Sequence, residues 1–289
     1  MAFSVDSAAG ERVLRALIAS RALEVDGQYN AAKLFRAAAL GVAIRATREH
    51  PGPGTEREEA MAGVIADVRA TGGNDPLVAV MERALAAVRS GEAWVTLQDA
   101  PRTMVCRACG EVLLGEPPVA CPTCGARPLG FHEVLAIYFL DPVDVAPLLS
   151  ALAGAPAEVE RLCAGIGDEQ ARHGAWPARE IVLHLIAAEG LLTGRAWRML
   201  EENEPALVSV PPPAADPATQ QQPFPALVAQ FRATREETLS RLRSLTPAQW
   251  ERSGFHPEWG RITVRQQLSY VARHEQSHLA ELEANCLAE

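Results

Sequence analysis

Residues 263–286, TVRQQLSYVARHEQSHLAELEANC, indicate the fold of the C-terminal half most directly. Their apolar side chains recur at helical spacing, at Leu268, Val271 and Leu282. Thr263 followed by Gln266 is the pattern of a capping box and predicts where the helix begins. His274 and His278 lie one turn apart, on or beside the apolar stripe, so their imidazoles can converge on one ion.

A third histidine, His184, lies on the apolar stripe of another predicted helix, whose first turn is marked by Pro177. The stripe consists of Ile181, Leu185, Ala188 and Leu192. An imidazole that faces a core without a partner costs free energy, so three inward-facing histidines favour a metal site. Separate hydrogen-bonded core histidines remain the alternative. Arg235 also lies on an apolar stripe, where it either reaches the surface or holds an anionic group.

Four cysteines form a second candidate metal site, in the stretch CRACGEVLLGEPPVACPTCGA at residues 106–126. They are arranged as two CxxC pairs, Cys106 with Cys109 and Cys121 with Cys124, each followed by a glycine that allows the chain to turn. Four thiolates form a closed tetrahedron around zinc or iron. Zinc would make the site structural, whereas iron could carry one electron.

Helical patterns cover most of the remaining chain, and the cysteine segment at 102–130 has too many glycines and prolines for a helix. Helices are predicted at 8–49 (two helices), 56–71, 75–90, 156–166, 178–203, 224–244 and 264–286. The proline-rich residues 204–223 predict an exposed crossover. The sequence therefore predicts a mainly α protein, with two helical bundles joined by a small four-cysteine ribbon.

Composition narrows the class of protein. The chain has 289 residues, with 27 Lys and Arg against 36 Asp and Glu, so its net charge of −9 disfavours binding to nucleic acid. Charged residues interrupt the first 25 positions, and the longest apolar stretch near them is 37–44. We therefore expect no signal peptide, no membrane segment and a cytoplasmic location. A homodimer is compatible with these features.

The C-terminal part, about residues 145–289, resembles the DinB-like (DinB/YfiT) metalloenzyme superfamily. The resemblance rests on WPAREIVLHLIAAE at 176–189, FRATREETLSRL at 231–242 and WERSGFHPEWGRITVRQQLSYVARHEQSHLAEL at 250–282. It implies a four-helix bundle in which His184, His274 and His278 bind a divalent metal (Zn, Ni, Fe or Mn). Characterised members of the family include thiol transferases that use low-molecular-weight thiols.

The N-terminal part resembles rubrerythrins. VCRACGEVLLGEPPVACPTCGARPLGF at 105–131 is similar to their rubredoxin-like tail, and GQYNAAKLFRAAALGVAIRA at 27–46 to a helix that carries di-iron ligands. Val42 and Arg45 stand where that family has a glutamate and a histidine, so a di-iron centre is not expected. The predicted division is a rubrerythrin-like helical domain at 1–98, a rubredoxin-like metal ribbon at 99–132 and a DinB-like bundle at 133–289.

Three functions are compatible with these features. The leading hypothesis is transfer of a metal-activated small thiol to an electrophile, with Arg235 holding an anionic substrate group. The second is metal-dependent hydrolysis by an activated water, with Glu275 or Glu180 as proton carrier. The third is a non-catalytic metal-binding or redox-sensing module. The sequence leaves open whether the protein is an enzyme.

Overall fold

The computed structural model describes residues 7–48, 55–70, 75–91, 101–174, 176–210, 214 and 216–286. It is mainly helical and divides into two compact units, Met1–Trp94 and Val95–Glu289. The cysteine segment belongs to the second unit, and the proposed boundary at 98/99 lies outside the described residues. The finer three-part division stays a prediction. No helix in the described ranges is both long enough and apolar enough to cross a bilayer.

The described residues of the first unit form four helices, at the positions that the hydrophobic pattern predicts. They are α1 (Ser7–Val25), α2 (Tyr29–Arg48), α3 (Thr55–Ala70) and α4 (Asp75–Ser90). Helices α1 and α2 form a hairpin, and Gly27 adopts φ 71° at the turn between them. Helices α3 and α4 pack around Ile65, Val78 and Leu85.

The cysteine segment forms a three-stranded antiparallel sheet in the order β2-β1-β3. Its strands are β1 (Thr103–Cys106), β2 (Val112–Leu114) and β3 (Phe131–Val134). Strand β1 lies at the centre and ends at Cys106, so the sheet fixes where the first cysteine pair turns.

Beyond the sheet, the part of the second unit that the structure describes is a bundle of four long helices with two short α-helices and a hairpin. In chain order these are α5 (Val145–Leu162), α6 (Ala178–Glu201), α7 (Pro217–Gln220), α8 (Phe224–Leu242), α9 (Pro247–Trp250), β4 (Ser253–His256), β5 (Gly260–Thr263) and α10 (Val264–Cys286). Helices α5 and α6 each pack against α8 and α10. Helix α5 therefore lies diagonally across the bundle from α6, and α8 lies diagonally from α10, whereas α6 and α8 are neighbours.

Two predictions about this bundle need correction. The helix expected at 156–166 begins at Val145, because Pro156 lies inside it rather than at its start. Its stripe of buried residues, Leu148, Leu152, Ala155 and Val159, continues through the proline. The crossover at 204–223 is not wholly exposed, because Phe255 of β4 exchanges backbone hydrogen bonds with Pro205 and Leu207. The β4–β5 hairpin itself was not predicted.

Candidate metal centre

Helices α6 and α10 bring three histidines together. His184 lies on α6, and His274 and His278 lie one turn apart on α10. The start of α10 is fixed by the predicted capping box, in which the Thr263 N–H donates to Gln266 Oε1 at 2.9 Å and the Gln266 N–H donates to Thr263 Oγ1 at 3.1 Å. The cap sets the helix phase, so both α10 histidines face α6.

The three imidazoles are spaced as ligands of one ion. His274 Nε2 lies 3.2 Å from His184 Nε2 and 3.0 Å from His278 Nε2, and ligand atoms of all three lie within 4.8 Å of one another. Two nitrogens bound tetrahedrally to zinc at ~2.0–2.1 Å would be about 3.3 Å apart. The ligand spacing therefore fits a single divalent ion.

The neutral form of the histidines is favoured at this site, and neutral imidazoles favour binding of a cation. Burial, together with the neighbouring His278 and His184, lowers the pKa of His274 to about 4. Burial also lowers the pKa of His184, with His278 adding to the effect. Neutral imidazoles present lone pairs to one another, and a bound cation satisfies them better than hydrogen bonds among three rings.

Two residues that sequence reasoning missed support the histidines. The Glu281 carboxylate accepts a 2.7 Å hydrogen bond from His278 Nδ1, which directs His278 Nε2 toward the other imidazoles. Trp176 packs against the rings of His184 and His278, with ring centroids 5.7 and 5.1 Å away. The spacing of Glu281, three residues after His278 on one helix face, was a usable signal for the first of these.

Arg235 and Glu275, the predicted catalytic residues, belong instead to a buried ion triad. Arg235 is 0% exposed, and its five N–H groups all donate, to Glu189, Glu275 and the Leu152 carbonyl. That carbonyl has no helical partner, because Pro156 lacks the N–H that would reach it. Arg235 therefore neither reaches the surface nor has a donor left for a substrate.

Both carboxylates of the triad also accept hydrogen bonds from buried donors. Glu189 accepts from Arg235 and from the Thr238 hydroxyl at 2.6 Å. Burial raises the pKa of Glu275 to about 6, although the charge of Arg235 opposes the shift. The expectation that Glu275 carries a proton in catalysis is revised, because its carboxylate is held by Arg235 in the core. Glu180, the other carboxylate considered, is exposed in the first turn of α6.

The four cysteines also converge. Cys106 Sγ lies 3.7 Å from Cys124 Sγ, and Cys109 Sγ lies 3.7 Å from Cys121 Sγ, with no disulfide among them. Four sulfurs at ~2.3 Å from a tetrahedral zinc would be about 3.8 Å apart. Gly110 and Gly125 adopt φ 84° and 74°, as the predicted turns require. The spacing fits one ion bound between the two CxxC turns.

The cysteine turns direct backbone N–H groups at the sulfurs. Burial raises the pKa of the Cys106 thiol, but hydrogen bonds from the N–H groups of Cys109 and Ala108 outweigh it and bring that pKa to about 7. Ionisation is thus favoured at Cys106 alone before any metal binds, since the pKa of Cys109 is raised to about 12 and that of Cys124 is raised as well.

Residues 151–282 match the family model of the DinB superfamily, so the C-terminal half of the chain carries a DinB superfamily domain, as its sequence predicted. A relative from Oceanobacillus iheyensis, which carries the provisional name metal-dependent hydrolase OB0782, is 26% identical over 120 residues, covering 41% of this chain and 70% of the relative. YfiT from Bacillus subtilis is described as a probable metal-dependent hydrolase with an unusual four-helix bundle topology. It aligns with 50% of this chain and 89% of its own, at 20% identity and a TM-score of 0.44. The rubrerythrin-like and rubredoxin-like resemblances stay predictions.

Proposed function

We propose that the C-terminal bundle is a metal-dependent enzyme that transfers a small thiol to an electrophile, with His184, His274 and His278 as the metal ligands. The observation that carries the proposal is the convergence of the three Nε2 atoms, two pairs of which lie 3.0 and 3.2 Å apart. Three protein ligands leave a coordination position for a substrate, whereas a structural site is closed by four. When bound, the ion would lower the pKa of a coordinating thiol or water.

The residues around the histidines favour a thiol over water as the nucleophile. Glu281 holds His278, and Glu275 is held by Arg235, so neither carboxylate is available as a general base. A thiol has a pKa of ~8.5 when free and is deprotonated outright when it coordinates a divalent ion, whereas water bound to zinc keeps a pKa of ~7.

Hydrolysis is the second candidate, and the names of the two relatives favour it. The two reactions are separable with simple probes, chlorodinitrobenzene with a panel of small thiols for transfer and nitrophenyl acetate for hydrolysis. We expect thiol-dependent turnover of the first probe by tag-free, metal-loaded protein. Turnover of the ester alone, independent of added thiol, would instead assign hydrolysis.

The ligand assignment is tested by His278→Ala, with His173→Ala as control because His173 is exposed and lies outside the site. We expect His278→Ala to lose the metal of the bundle and all turnover while the cysteine-bound metal stays, since the two sites draw on separate segments. Metal analysis and circular dichroism of both variants provide the readout. Full metal content in His278→Ala would contradict the assignment.

The four-cysteine cluster is proposed as a second, closed metal site that stabilises its sheet. Its sulfur spacing of 3.7 Å supports this, and neither zinc nor iron is favoured by the spacing. An absorption spectrum distinguishes them, since ferric iron bound by four thiolates is red and zinc is colourless. Disulfides among the four cysteines by mass spectrometry, or no metal by elemental analysis after anaerobic purification, would exclude the site.

A further inference from the structure

The hairpin of α1 and α2 buries small side chains and exposes large ones. Along the seam where the two helices meet, the fully buried residues are Ala9, Ser20, Ala32 and Ala39, and the Ser20 hydroxyl donates to the Ala32 carbonyl at 2.9 Å. A seam of small residues lets the helices approach closely but buries little apolar area, so it contributes little to stability. Leucine and isoleucine side chains of the same helices stay 44–64% exposed among the described residues: Leu14, Leu17, Ile18, Leu34, Leu40 and Ile44.

Five of these six side chains lie on one face of the hairpin. On α1, Leu14, Leu17 and Ile18 follow helical spacing and are centred about 120° from the seam. On α2, Leu40 and Ile44 are centred about 110° from the seam, in the same rotational sense along the chain. Because the two helices of a hairpin run antiparallel, offsets in the same sense bring both stripes to the same side. We call these five residues the hairpin face.

The hairpin face carries little net charge, although the hairpin as a whole is basic. Residues 7–48 contain seven basic and three acidic residues, in a chain whose net charge is −9. Near the turn, the Glu24 carboxylate pairs with both Arg21 and Arg36. Lys33, seven residues before Leu40 and on the same stripe, adds one cation at the edge of the face. A face of this kind favours a protein partner over an anionic lipid surface, which attracts clusters of Lys and Arg.

The dimensions of the hairpin face suit a second copy of the same hairpin. Helices of 19 and 20 residues are about 29 Å long, and two side by side are about 20 Å wide, which gives an area of about 600 Å². Stable interfaces bury about 800 Å² of accessible surface per partner, which a corrugated face of this size can supply. Two hairpins packed face to face form a four-helix bundle, in which one two-fold axis covers both faces at once. Helices α3 and α4, in contrast, already share a core around Ile65, Val78 and Leu85.

We propose that the hairpin face binds the hairpin face of a second copy of the chain, so that the first unit forms the interface of a homodimer. The inference is independent of the proposed function of the C-terminal bundle. It explains why α1 and α2 keep their large aliphatic side chains out of their own seam, since burial of these side chains between two copies supplies the stability that the seam lacks.

The first test is the mass of the metal-loaded full chain by sedimentation equilibrium. We expect the wild type at micromolar concentration to have twice the 31.0 kDa of one chain. Ile18→Glu should weaken association about 100-fold or more, because two-fold symmetry buries the new carboxylate twice. Val64→Glu is the matched control, since Val64 is a 51% exposed aliphatic residue on α3. Circular dichroism should show unchanged helix content in both variants, because both side chains are exposed in one copy.

A second test locates the interface. Lys33 is the single lysine of the 289 residues, and it lies at the edge of the hairpin face. Treatment with disuccinimidyl suberate, followed by peptide mass spectrometry, should therefore give a Lys33–Lys33 crosslink, which joins two chains by necessity. We expect this crosslink in the wild type and in Val64→Glu and its loss in Ile18→Glu. A dimer without the crosslink would have its interface elsewhere and would overturn the proposal.

Salt separates a second copy from a lipid surface. Two basic hairpins repel each other, so dimerisation should not weaken as salt is raised, whereas binding to anionic lipid is weakened by salt. We expect no flotation of the protein with vesicles of phosphatidylglycerol and phosphatidylcholine. Flotation that is lost in Ile18→Glu, a monomer at all concentrations, or an equally stable dimer of Ile18→Glu would each overturn the proposal.

Discussion

At the scale of single residues, the role of a polar side chain depends on its hydrogen-bond and ion-pair partners, as the two candidate metal centres and the ion triad illustrate. The imidazoles of His184, His274 and His278 contact one another. The N–H donors of Arg235, in contrast, are all used by two carboxylates and a carbonyl. The same residue type at Arg195 has no such partners. Which polar side chains of this bundle keep atoms free to bind a ligand therefore depends on their partners and not on the residue type.

We predict that Arg235→Met destabilises the bundle by about 3–5 kcal/mol, because it leaves Glu189 and Glu275 buried without a counter-charge. Arg232→Met on the same helix removes only exposed ion pairs and should cost less than about 1 kcal/mol. Urea unfolding of the metal-loaded variants provides the comparison. Equal stability of the two variants would show that the triad is not structural.

Glu281→Gln is expected to weaken metal binding by the bundle about 10- to 100-fold, because the neutral amide no longer orients and polarises His278. Glu283→Gln, an exposed position on the same helix, is the matched control. Competition with a zinc chelator measures both. The idea fails if the two variants bind zinc equally well.

At the scale of secondary-structure elements, caps and turns place the ligands. The capping box at Thr263 sets the rotation of α10, and the left-handed Gly110 and Gly125 close the two cysteine turns. The three-stranded sheet has few buried apolar residues, chiefly Met104 and Leu113. We therefore expect a segment with so small a core to depend on a bound metal for its stability.

Cys106→Ser is accordingly expected to remove the metal of the cysteine cluster and to increase amide exchange throughout residues 101–134. Cys163→Ser lies outside the cluster and should leave both properties unchanged. Hydrogen exchange with mass spectrometry, combined with metal analysis, reports on both variants. Unaltered protection of β1 and β3 in Cys106→Ser would show that the sheet is stable without metal.

At the scale of the whole molecule, the described residues gather metal-ligating side chains at two places, both within Val95–Glu289. We predict one metal ion at each place and none bound by the helices of the first unit, because the resemblance to rubrerythrins aligns Val42 and Arg45 with the ligand positions of that family. Metal analysis of protein purified without a histidine tag measures the total. Two further irons per chain, with peroxidase activity, would contradict the prediction.

Light scattering tests the expected homodimer.

Much of this protein could be predicted from local sequence. The helical periods, the capping box, the paired CxxC turns and the three inward-facing histidines all depend on residues close together in the chain, where spacing alone fixes which side chains share a face. The DinB superfamily domain was recognisable for the same reason. Pro156 misled the prediction of α5 because its missing N–H is compensated by Arg235, a residue far away in sequence.

Only the tertiary structure decided which polar residues are free to act. Arg235 and Arg195 each lie among apolar residues on a helix, and nothing in their neighbouring sequence separates them. Glu189 and Glu275 reach Arg235 from α6 and α10, and the β4–β5 hairpin brings His256 and Trp259 toward Arg195. Helical spacing determines the direction of a side chain, but the partners it meets come from other elements, and those partners determine its charge and chemistry.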